Sequence, residues 1–205
     1  MKGIIFDAES VRAILDGTKT QTRRVVKKLP DTFYDGEPCE HSWPAKRCNS
    51  ICSDCWEKWL ELCPYKQGTI VHVKETFALD SIPNHPNVPP VVHYRADRTV
   101  VSESFNGHWR SPLHMPERSS RIKLRLTDVR VQRVQDITEE DVIAEGISFD
   151  GEYWRSVVHP IKGTLKCWPT AKIAYEQRWQ ALNTKRGYSW QSNPWVWTIT
   201  FEVSK

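Results

Sequence analysis

No stretch of this chain stays apolar for long. The opening segment, MKGIIFDAES, turns polar after four apolar residues, too short for the apolar core of a secretory signal. No later run approaches the length of a membrane span, so a soluble, cytoplasmic protein without a membrane partner is expected. There are no internal repeats. Neither charge sign dominates. With 29 Lys and Arg against 25 Asp and Glu the net charge is +4, which permits a nucleotide or RNA partner without demanding one. What is present in quantity is tryptophan. Ten Trp in 205 residues, most in or near loops, either fill a small core or line a pocket. The length suits a single domain over residues 1–205 that carries insertions and buries a real core.

Read along the chain, residues 3–6 (GIIF) suit a short strand. Ser10 is placed to cap a helix with Val11, Ile14 and Leu15 on one face, and Gly17 suits its stop. TRRVV leads out as a strand. A polar insertion over about 29–66 follows. GTIVHVKETFAL (68–79) and VVHYRA (91–96) read as strands separated by a Pro-rich loop, and 98–120 reads as loop. Residues 121–134 form a long strand whose apolar parity changes between Leu126 and Val129, so a bulge is expected near Thr127–Asp128. Residues 138–146 make a short helix opened by Thr138, with Asp141 three positions on, and closed by Gly146. A second insertion spans about 148–168. The longest helix, 169–187, carries Ala171, Ala174, Tyr175, Arg178, Trp179 and Leu182 on one stripe. In the last strand Trp195, Trp197, Ile199, Phe201 and Val203 share a face, with core the default place for Trp195 and Trp197. The order gives an α+β protein. A small, mostly antiparallel barrel with flanking helices fits it, because closure removes exposed sheet edges.

Five of the six cysteines lie between residues 39 and 63, in CEHSWPAKRCNSICSDCWEKWLELC. In a cytoplasmic chain this favours metal over disulfides. Cys52 and Cys55 form a zinc knuckle, with Cys39, His41 and Cys48 just upstream. If the segment from Ser53 onward is helical, Cys63 sits about 12 Å along the axis from Cys55 and cannot share its ion. Four ligands are therefore expected from Cys39, His41, Cys48, Cys52 and Cys55, holding a structural Zn2+ that pins the insertion. Cys63 is left free and Cys167 reads as packing. The bland alternative is a loop with reduced, unliganded thiols. No organic cofactor is implied.

The stretch DGTKTQTRR, Asp16 to Arg24, holds one Lys, three Thr and two Arg. A threonine hydroxyl attacks only after a base takes its proton. A lysine is that base only when its pKa falls well below about 10.4, which burial and neighbouring cations bring about. Lys19 precedes Arg23 and Arg24, so these ingredients are adjacent. A loop conformation is needed to bring Lys19 to Thr22, since in an extended segment they face apart. On spacing alone, a solvated basic turn is the simpler reading.

ILDGTKTQTRR nevertheless resembles the signature of the ASCH family, a PUA-like β-barrel superfamily: a helix ending in Gly, then Lys-Thr-x-Thr-x-Arg. The resemblance continues in GTIVHVKETF, YRAD, WRSPLHMP, SSRIKLRLTDVRVQRVQDITEEDVIAEGI and NPWVWTITFE, most of the chain outside the insertions, and is strongest to the larger bacteriophage and prophage members. It implies a PUA-like barrel. Among bacterial relatives are small amidohydrolases that remove the acetyl group from N(4)-acetylcytidine, with a Lys, a Thr and a Glu as proposed triad. Carried over, these are Lys19, Thr22 and Glu145. The implied reaction is attack of Thr22 on the acyl carbonyl with Lys19 as base. Glu145 would orient Lys19 or protonate the leaving nitrogen, and Arg23 or a backbone N–H would stabilise the oxyanion.

Further pocket candidates are Arg23, Arg24, Glu75, Trp109, Arg110 and His114. Glu75 either closes a strand near the barrel mouth or makes an edge salt bridge. Trp109 suits stacking on a base and Arg110 a phosphate contact. A lone His such as His114 is more often structural. The alternative function is an RNA-binding module without chemistry, in which Lys19, Arg23, Arg24 and Arg110 grip phosphates, or less readily a ribonuclease. A phosphate grip tolerates Arg at position 19; a neutral base does not. The partner is a modified nucleoside or RNA. The oligomeric state is left open by the sequence.

Overall fold

The computed structural model describes residues 2–27, 59–80, 90–97, 108–155 and 167–204. The metal candidates Cys39, His41, Cys48, Cys52 and Cys55 lie outside the described residues. In chain order the elements begin with β1 (Gly3–Ile5), α1 (Ala8–Leu15), β2 (Gln21–Val25), β3 (Ile70–Lys74), β4 (Phe77–Asp80) and β5 (Val91–Tyr94). They continue with β6 (Lys123–Arg133), α2 (Glu139–Ala144), β7 (Ser148–Phe149), β8 (Trp154–Arg155), β9 (Cys167–Trp168), α3 (Ala171–Asn183) and β10 (Trp195–Ser204). The protein is thus mixed α and β. Its main sheet has the order β1-β3-β6-β10-β2 and is antiparallel except between β1 and β3. No helix among the described residues is long and apolar enough to cross a membrane.

The sheet is buried on both faces, as the alternation of β10 dictates. Trp195, Trp197, Ile199 and Phe201 join Leu124 and Leu126 in an inner core, whereas Val196 packs with Val142, Tyr175 and Trp179 beneath α2 and α3. The pairing of β6 with β10 skips Thr127, so the bulge lies where the change of parity requires it. Past the end of the first insertion, residues 59–62 are helical and carry Trp59 into the inner core, 5.2 Å from Trp195 and 6.1 Å from Trp197. Cys63 is a free thiol in the same core, and burial pushes its pKa up. The ends of the sheet are tied by a side chain: Arg24 of β2 donates to the Ile5 carbonyl of β1 at 2.6 Å and lies 4.9 Å over the Phe6 ring.

Several expectations are corrected. The cap of α1 is Asp7, whose carboxylate accepts from the Ser10 N–H at 2.7 Å; Ser10 itself lies inside the helix, and its hydroxyl receives a hydrogen bond from Arg178 at 2.8 Å. Leu15, Leu182 and Val203, each at or near the end of its element, are exposed. The stretch 68–79 is two strands. It breaks at Glu75–Thr76, where Arg121 claims the Glu75 carboxylate and the Arg95 N–H donates to the Thr76 carbonyl. β4 then pairs with β5 in a separate ribbon. The second insertion is partly ordered, with β7, β8 and β9 forming a small antiparallel sheet.

Candidate functional site

Two helices end against one short segment. α1 stops at Gly17 (φ +73°) and α2 at Gly146 (φ +86°), both left-handed, where glycine carries no steric penalty. The chain between Gly17 and β2 is sewn between them. Thr18 and Lys19 donate their backbone N–H to the Ala13 carbonyl, Thr20 donates to the Ala144 carbonyl, and the Thr20 carbonyl accepts from Phe201 of β10. Gly146 also meets a packing need. A Cβ there would stand 3.1 Å from Lys19 Cβ and 3.2 Å from Ala13 Cβ.

This stitching buries Lys19, only 3% exposed, against Glu145 from the C-terminal end of α2. The Lys19 ammonium donates to Glu145 Oε2 at 2.6 Å and to the Glu145 carbonyl at 2.8 Å. The second bond uses a carbonyl left over at a helix end, where a cation is favoured. An ammonium has three N–H donors. Two go to Glu145, and among the described residues none joins Thr22 Oγ1. Burial lowers the Lys19 pKa, Glu145 raises it back, and Arg178 and Arg24 lower it again; the balance is about 8. Burial pushes the Glu145 carboxyl up, but Lys19 and Arg23 outweigh it and hold it below the usual range.

β2 presents two chemistries on two faces. Thr22 pairs with Ile199 and Arg24 with Trp197, so both lie on the inner-core face. Arg23 pairs with Thr198 on the opposite face, beneath the helices. There its two terminal nitrogens are committed, donating to Gln21 Oε1 at 2.7 Å, Asp141 Oδ2 at 2.6 Å and Glu145 Oε1 at 3.2 Å, while its Nε is buried without an acceptor. The Tyr175 ring lies 5.7 Å away, and burial beside Glu145 raises that phenol well above its ordinary value. Arg23 therefore does not face Thr22; its charge is spent on the carboxylates of α2. Arg24 makes no ion pair among the described residues, and its Nε is buried without an acceptor. Burial lowers its pKa.

The remaining candidates gather elsewhere. Glu75 is 1% exposed and is gripped by Arg121 through Nε (2.9 Å) and NH2 (3.1 Å). Arg121 also reaches Asp97 at 2.7 Å and lies 4.0 Å over the Tyr94 ring. Burial raises the Glu75 pKa against the pull of Arg121. Trp109 receives Arg95 at 5.4 Å over its ring, exposed Arg110 bridges Phe77 through its backbone, and exposed His114 ends a 3-10 turn. The structure thus brings Lys19, Glu145 and Arg23 into direct contact, and sets Glu75 in a second cluster with Arg121.

Asp141, Gln21, Tyr175 and Arg178 belong to the site without having been named as candidates for it. Asp141 is the most instructive. Thr138 Oγ1 does accept from its N–H at 3.2 Å, as a helix start requires, but the carboxylate serves Arg23 and Arg130 instead of the cap. Its signal was present in the sequence: Asp141 and Glu145 are four residues apart and so share a helix face. No protein-family model, no curated protein and no solved structure matches this chain.

Proposed function

We propose that the protein is an amidohydrolase that removes an acyl group from the exocyclic nitrogen of an N(4)-acylated cytidine or related modified nucleoside, on a PUA-like barrel whose seam Arg24 closes. The observation that carries this reading is the buried Lys19–Glu145 pair, with Lys19 brought to about pKa 8 three residues before a threonine on the inner face of β2. A base with that pKa is about one-tenth neutral at pH 7, close to the optimum for general-base work. The reaction requires Lys19 Nζ, which bonds Glu145 twice in this structure, to reach Thr22 Oγ1 as well. When Lys19 loses the one proton not given to Glu145, its lone pair takes that proton's place and accepts from Thr22 Oγ1. The oxygen attacks the acyl carbonyl, forming a C–O bond. Collapse breaks the C–N bond, and the cytosine nitrogen leaves with the proton Lys19 collected. Water, deprotonated by the same lysine, then cleaves the acyl-threonine to release a carboxylic acid. Glu145 orients Lys19 throughout. Arg24, on the Thr22 face with guanidinium donors to spare, is the side chain suited to the developing oxyanion.

Lys19 and Arg23 spend their charge on internal carboxylates, which argues against a phosphate grip built on them. The test is incubation of purified protein with a panel of N(4)-acylated cytidines. Release of cytidine is expected, rising with pH through about 8 as Lys19 loses its proton, and abolished in Lys19→Arg. Absence of release across the panel, with salt-sensitive RNA binding instead, would overturn the enzyme reading.

A further inference from the structure

The contacts around Glu145 are unequal, and the inequality has a cause. Glu145 Oε2 lies 2.6 Å from Lys19, but Oε1 is 3.2 Å from Arg23, the longest contact in the cluster. Arg23 is held back by two shorter bonds, to Asp141 Oδ2 at 2.6 Å and Gln21 Oε1 at 2.7 Å. Asp141 is in turn shared, since its Oδ1 takes Arg130 at 2.7 Å from β6. The result is a line of charges from the half-exposed Arg130 through Asp141, Arg23 and Glu145 to Lys19.

We propose that Asp141 is the positioning residue of this site: by holding Arg23 on the side away from Glu145, it fixes how Glu145 divides its carboxylate between Arg23 and Lys19. A guanidinium freed from Asp141 would close on Glu145 with two parallel N–H bonds, the arrangement it prefers. Its Nη2, released from Asp141 Oδ2, lies beside the Nη1 that already reaches Glu145, so the two supply that pair. Lys19 would lose its share of the carboxylate and with it the interaction that favours its proton. The other charged and titratable groups facing the pair are Arg24 on β2, Asp7 at the start of α1, and Arg178 and Tyr175 on α3. Of these, Tyr175 touches Arg23, its ring 5.7 Å from the guanidinium, and a phenol held protonated offers no rival to the two carboxylates between which Arg23 chooses.

This inference rests on the hydrolase reading only for one of its two readouts. The first is the pH dependence of cytidine release. The second is an NMR titration of the Lys19 side-chain amine in the full chain, which needs no substrate. Asp141→Asn is expected to move both to lower pH by about half a unit or more. Arg23→Gln, which leaves Glu145 to Lys19 alone, is expected to move both to higher pH. In the Arg23→Gln background, Asp141→Asn should leave the titration in place to within about 0.2 unit, because its route to Glu145 is gone. Arg130→Gln, at the surface and tolerant of folding, frees Asp141 for Arg23 and is expected to move Lys19 upward. An equal shift of Asp141→Asn in both backgrounds would show that Asp141 acts by its field alone and would overturn the proposal. So would an unmoved Lys19 in both Asp141→Asn and Arg130→Gln. If no acylated cytidine is turned over by the parent protein, the hydrolase reading fails while the NMR titration still decides the role of Asp141.

Discussion

Lys19 and Glu145 are each nearly inaccessible to water, and either one alone would be a buried charge without compensation. Breaking such a pair from one side is costly. Glu145→Gln is therefore expected to destabilise the fold by about 3–5 kcal/mol in urea unfolding, with part of the loss recovered when Lys19→Met is added. A loss below about 1 kcal/mol would show that water reaches the ammonium and that the pair is not truly buried. At this scale much of the site was legible. The motif resemblance singles out both partners across 126 positions of sequence, and the structure joins them. Arg23 was harder, because charge in a sequence does not say which face of a strand is covered. TRRVV alternates in the open, but only the packing of α2 and α3 over one face turns Arg23 from a prospective substrate contact into the holder of two carboxylates. Asp141 was hidden by a competing explanation: its position after Thr138 already accounted for it as part of a helix start.

Among elements, the two helix stops are a natural experiment. Gly17 and Gly146 share a left-handed backbone, yet a Cβ on Gly17 meets nothing within 4 Å whereas one on Gly146 meets Lys19 and Ala13. Gly17→Ala should cost only the backbone strain, about 1–2 kcal/mol. Gly146→Ala adds crowding against the site lysine, so its thermal midpoint should fall further and the Lys19 titration should move with it. Equal midpoints in the two variants would mean that the segment around Lys19 yields freely. The first insertion poses a different element-scale question. Its far end is anchored, since Trp59 and Cys63 enter the inner core. The donor set upstream, four cysteines and a histidine, suits a tetrahedral thiolate-rich zinc site, and we propose structural zinc held by four of the five. About one zinc per chain is expected to survive dialysis in elemental analysis; clearly less would remove the metal from the account of this insertion.

For the whole molecule, periodicity located the elements better than their partners. The parity of β10 and the bulge at Thr127 were readable because both faces of the sheet are buried and a one-residue slip would misplace every side chain. The division of 68–79 into β3 and β4 was not readable. Its cause is Arg121, distant in sequence, drawing Glu75 inward at the point where the strand leaves the main sheet. That same contrast between carboxylates governs how the fold responds to acid. Asp141 and Glu145 are held below their ordinary values of 3.8 and 4.5, so between those values and the folded ones the unfolded chain binds more protons than the folded chain. The stability they supply is complete above about pH 5 and is lost as the pH falls through their folded pKa values. Glu75 has the opposite sign: its folded pKa is raised above 4.5, so acidification through that range favours the folded state. Two variants should therefore bend the stability curve in opposite directions. Asp141→Asn should flatten the loss of stability below pH 5, because one of the carboxylates that must be protonated is gone. Glu75→Gln should steepen it, because the compensating protonation is gone. Urea midpoints between pH 6 and pH 3 measure both slopes. Parallel curves for the two variants would mean that the Glu75–Arg121 cluster and the Lys19–Glu145 site do not differ in the way their burial and partners require.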